Sequence, residues 1–73
     1  MKLVRHVTKA WRRNAEAWEY EANGKSAVIS FWFMTNRFAV YRGTIDHIMG
    51  DGAYADGLLS AQLLVMQLLG AEQ

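Results

Sequence analysis

Residues 15–34 read AEAWEYEANGKSAVISFWFM, and the fold turns on how this stretch is read. Glu16, Trp18, Tyr20 and Ala22 alternate with Ala15, Ala17, Glu19 and Glu21. A period of two marks a strand with one face toward a core. Asn23-Gly24 follows, a pair that readily takes the positive φ values of a type I′ hairpin turn. The run from Ser26 to Met34 is rich in β-branched and aromatic residues and predicts the second strand. Thr35-Asn36-Arg37 makes another turn, and FAVYRG at 38–43 a third strand. The natural product is an antiparallel meander of three strands.

Outward from the meander, both ends read as helix. Leu3, Val7 and Trp11 fall at i, i+4 and i+8, with Val4 on the same stripe, which predicts a helix over 2–13; KLVRHV also suits a strand. After the third strand, Thr44 is placed to cap a short helical turn containing Ile45, Ile48 and Met49. GDGAYADG at 50–57 reads as a loop. Asp56 is the expected N-cap of a final helix that runs to Leu69 and stops at Gly70. The expected architecture is a single α+β domain over residues 1–73, a three-stranded antiparallel meander with an N-terminal and a C-terminal helix. That α-β-β-β-α order resembles the double-stranded RNA-binding domain. The resemblance implies a fold and not RNA contact. That family has a basic cluster at the start of its last helix, where this chain has Asp51 and Asp56 and no basic residue.

A chain of 73 residues is one domain. It buries only about 60% of its unfolded surface, so it is marginal without help. With no Cys, disulfides and thiolate metal sites are excluded. The composition, 52% hydrophobic and 21% charged, leaves packing and association as the means of stabilisation. Met1 fits a complete small protein. The charges spread through MKLVRHVTKAW do not suit a signal peptide. The longest charge-free apolar stretch, 58–70, is shorter than the roughly 20 residues of a membrane span. A cytoplasmic protein without membrane contact is expected.

Few residues suggest chemistry. His47 lies near Asp46, Asp51 and Asp56 in sequence, which invites a metal or acid–base site. Those acids are equally suited to turns and caps, and no second His or Cys stands at ligand spacing. Ser26, Ser30 and Ser60 lack the flanking pattern of a nucleophile. No catalytic residue, metal, cofactor or small-molecule substrate is expected. The charge distribution is more informative. Lys2, Arg5, Lys9, Arg12 and Arg13 are five of the eight basic residues, and no acid precedes Glu16. The rest of the chain has three basic residues against seven acids, a balance of −4. The basic end is a candidate surface for an anionic partner, either an acidic protein or nucleic acid.

The strongest signal is LLSAQLLVMQLLG at 58–70. On a helix, Leu58, Val65 and Leu69 fall on one side, Leu59, Leu63 and Met66 toward a second, and Ala61, Leu64 and Leu68 toward a third. A helix that only caps a sheet needs an apolar arc of somewhat over 100°. This one is apolar nearly all round and has no charge. The second strand is also apolar on both faces, with Ala27, Ile29, Phe31 and Phe33 against Val28, Trp32 and Met34. If Leu59 and Leu63 pack on the sheet, Leu64 and Leu68, with Leu58 and Val65, are left for a symmetry mate. The expected function is a small non-enzymatic regulator or inhibitor that binds another protein and acts as a homodimer. Phage- and plasmid-borne inhibitors such as anti-CRISPR proteins are small proteins of that kind. The alternative is a nucleic-acid-binding regulator that uses the basic N-terminal helix.

Overall fold

The computed structural model describes residues 1–11 and 15–70. Five strands, β1 (Lys2–Trp11), β2 (Ala15–Ala22), β3 (Lys25–Trp32), β4 (Arg37–Gly43) and β5 (Ile48–Ala55), precede one helix, α1 (Leu58–Leu69). The strands form a single antiparallel sheet in the order β1-β2-β3-β4-β5. The three expected strands correspond to β2, β3 and β4. Asn23 and Gly24 turn the β2–β3 hairpin with φ of 55° and 74°, the positive values that a type I′ turn needs.

Two additional strands replace the expected three-stranded sheet, and with them the α-β-β-β-α order and its likeness to the RNA-binding domain fall away. The segment predicted as an N-terminal helix is β1. Leu3 pairs with Tyr20 and His6 with Trp18, while Arg5 pairs with Glu19 and Val7 with Ala17. A bulge between Leu3 and Arg5 shifts the register. It breaks the period of two and leaves a chance i, i+4 spacing of apolar residues. Pairing with β2 and the β-branched Val4, Val7 and Thr8 favour the extended form. The segment read as a helical turn and loop is β5. Glycines weaken a strand, but one is needed here. A Cβ at Gly52 would lie 2.5 Å from the Tyr41 ring.

α1 lies over β3 and β4. Ala61, Val65 and Leu69 are buried against Tyr20, Ala27, Ile29 and Val40. Gly57, not Asp56, is the N-cap, and no side chain caps that end. Gly70 ends the helix in the left-handed conformation. Its last carbonyls are bound from the hairpin turn, because the Asn23 side-chain amide donates to Leu69 O at 2.9 Å and Gly70 O at 3.0 Å.

The second sheet face is not covered by a helix. The β4–β5 loop folds beneath it and buries Ile45 against Ala17 and Val28, with Val7 and Ile48 alongside. Contacts from β2 and β1 pin this loop. The Ile45 N–H donates to Glu19 Oε1 at 3.1 Å, and Arg5 forms an ion pair with Asp46 at 2.9 Å. Further along that face, Trp32 Nε1 donates to Ser30 Oγ at 2.9 Å, and Ser30 Oγ to the Ala39 carbonyl at 3.4 Å. The apolar second face of β3 is thus explained by a tucked loop and a Trp lid.

Candidate interaction surface

Of the six leucines in α1, only Leu69 is buried. The helix approaches the sheet through small residues, and five of the twelve buried hydrophobic residues are Ala. Small residues let backbones come close but cover little area. The larger side chains are left around the outside.

Apart from Leu58, the burial around α1 differs from the expectation. Val65 is fully buried, and Leu64 and Leu68 pack partly against the core. Leu58 is 41% exposed, while Leu59 and Leu63 are 72% and 53% exposed. At about 100° per residue, Leu68 and Leu64 lie on one side of the buried line and Met66, Leu59 and Leu63 on the other. Leu68 lines a cleft with Arg42 and Met49, which puts its side toward β4 and β5. Leu59 and Met66 therefore lean toward β2 and β1, the side of the sheet that α1 covers least. The helix face of those strands presents Trp18, half-buried, and Leu3, 50% exposed. Leu59, Leu63 and Met66 have spacings of four and three, the pattern of a helix–helix seam. Nothing in the sequence separated this stripe from the buried one, since both are apolar.

The basic segment is assembled differently from the expectation. Lys2 and Arg5 project from an edge strand on the second face, where Glu21 and Glu19 stand opposite them. Arg5 is partly neutralised by Asp46. Lys9 belongs to β1, and Arg12 and Arg13 lie outside the described residues. The chain has no acid before Glu16, but the fold brings Glu16, Glu19, Glu21 and Asp46 to this strand.

His47 is not gathered with Asp46, Asp51 and Asp56 into a ligand set, and no group of three potential metal ligands occurs among the described residues. The structure does unite His6 with Glu16, with the His6 ring stacked on Trp18 at 5.0 Å between centroids. The spacing along the chain gave no sign of this pair, because it depends on β1 being a strand. No hydroxyl is hydrogen-bonded to His6 among the described residues.

No helix among the described residues is long and apolar enough to cross a membrane. The chain matches no protein-family model, and no curated protein or solved structure matches it significantly.

Proposed function

We propose that this chain is a non-enzymatic protein-binding regulator or inhibitor that associates with a second copy of itself through the outer flank of α1. The carrying observation is the stripe of exposed Leu59 and Leu63 with half-buried Met66 beside them, on a helix with no charged residue. A contiguous apolar surface beside a polar rim is the mark of an association site. A second copy suits it for two reasons. A two-fold contact sets each side chain near its own copy, and an uncharged helix meets no like-charge repulsion there. The alanine-rich core also leaves the monomer short of buried apolar area, which association restores.

Cysteine trapping tests the contact, since the chain has no Cys of its own. Leu63→Cys should give a covalent dimer in high yield on mild oxidation, because a two-fold seam brings the two thiols within disulfide reach. Lys25→Cys, on another part of the surface, should remain monomeric. Equal and slow cross-linking of both variants would mean random collision and would remove the proposal.

A further inference from the structure

On the β4–β5 flank of α1, opposite the stripe described above, a cleft of about 510 Å³ opens between the β2–β3 turn and the β4–β5 loop. Lys25, Arg42 and His47 line it together with Thr44, Met49 and Leu68. The topology makes this convergence. Arg42 pairs with Ala27 across β3 and β4, and Lys25 lies two residues before Ala27 in the same strand. The two cations therefore share a face as diagonal neighbours, within reach of one bound group.

His47 is carried to the cleft by a closed loop. Thr44 N donates to the His47 carbonyl at 3.0 Å, and His47 N donates to the Thr44 carbonyl and to Thr44 Oγ1, both at 3.1 Å. The loop requires glycine at its entry. Gly43 has φ of +102°, and a Cβ there would stand 2.3 Å from the His47 carbonyl oxygen.

The charge at this cleft is not compensated from within. Among the described residues the ion pairs are Arg5–Asp46 and His6–Glu16, and neither involves Lys25 or Arg42. Asp51 lines the adjoining cavity with Arg42 and forms no ion pair with it. The carbonyls at the end of α1 would repel an anion, but Asn23 already engages those of Leu69 and Gly70.

We propose that this cleft binds a phosphorylated small molecule. Arg42 and Lys25 take the phosphate oxygens, since guanidinium and ammonium donors form short charge-assisted bonds to that group. His47 adds a donor from a third direction, which suits an anion with three terminal oxygens. Met49 and Leu68 supply an apolar wall for the body of the ligand. The volume falls in the range of about 300–1,000 Å³ typical of small-molecule sites. The site does not depend on the association proposed above, because the two lie on opposite flanks of α1.

The test is a titration of isotope-labelled full-length chain with inorganic phosphate and with phenyl phosphate, at constant ionic strength, followed by amide chemical shifts. The expected result is saturable shifts centred on Lys25, Arg42, Gly43 and His47, with phenyl phosphate binding several-fold tighter than inorganic phosphate. Arg42→Gln and Lys25→Gln should each weaken binding by about tenfold, the loss of one charge-assisted bond. Lys2→Gln, which removes the same charge from β1, should leave it unchanged. Shifts that never saturate, or equal weakening by all three substitutions, would show only general attraction of anions to a basic chain and would overturn the proposal.

Discussion

Asn23 donates its side-chain amide to the carbonyl of Leu69, 2.9 Å away and 46 residues along the chain. A hairpin turn thereby caps the far end of the helix, and a second bond to Gly70 O at 3.0 Å completes the cap. Asn suits the position twice over, because its backbone has φ of 55° and Asn tolerates that region better than most residues. Asn23→Gly keeps the turn and deletes both bonds. It should cost about 1–2 kcal/mol, while Asn23→Ala should cost more because it also strains the turn. Urea denaturation of the two variants measures the difference.

Glu19 is 8% exposed, and one of its oxygens accepts the N–H of Ile45. Glu19→Ala deletes that buried hydrogen bond and should destabilise by about 1–3 kcal/mol. The companion contact, Arg5–Asp46, is between side chains 47% and 79% exposed. Arg5→Gln should therefore change stability by less than about 1 kcal/mol. Thermal melts of both variants would distinguish the buried anchor of the β4–β5 loop from the exposed one. Equal effects would mean that the loop is not held through Glu19.

Leu69 and Leu59 occupy the same helix with opposite burial, 1% and 72% exposed. Leu69→Ala should cost about 2–5 kcal/mol through lost burial and the cavity left behind. Leu59→Ala should change unfolding by less than about 0.5 kcal/mol when measured at a dilution where the chain is monomeric. Similar costs at the two positions would reverse the assignment of helix faces.

The sequence made some of this legible. Alternation in β2 and the Asn23-Gly24 turn marked the central hairpin, and Gly70 marked the end of α1. The outer strands were hidden for separate reasons. In β1 the bulge after Leu3 spoils the alternation that identifies a strand. In β5 Gly50 and Gly52 read as loop residues, and the need for Gly52 arises only from the ring of Tyr41 across the sheet. The helix was visible but its orientation was not. Its buried line is set by Ala61 and Val65, whose small size allows close approach, and hydrophobicity alone cannot distinguish that line from Leu59 and Leu63. The cleft was invisible because Lys25, Arg42 and His47 come from β3, β4 and the β4–β5 loop, and only the fold brings them together.

The most direct measurement of the central claim is the solution mass of the wild-type chain and of Leu59→Glu with Leu63→Lys, by sedimentation equilibrium with circular dichroism in parallel. Both positions are largely exposed in the folded chain, so the double variant should keep its secondary structure while a charged pair becomes costly to bury at a seam. The account predicts a dimeric wild type at high micromolar concentration and a folded monomeric variant. A wild type that remains monomeric at that concentration, or a folded variant that still dimerises, would contradict it.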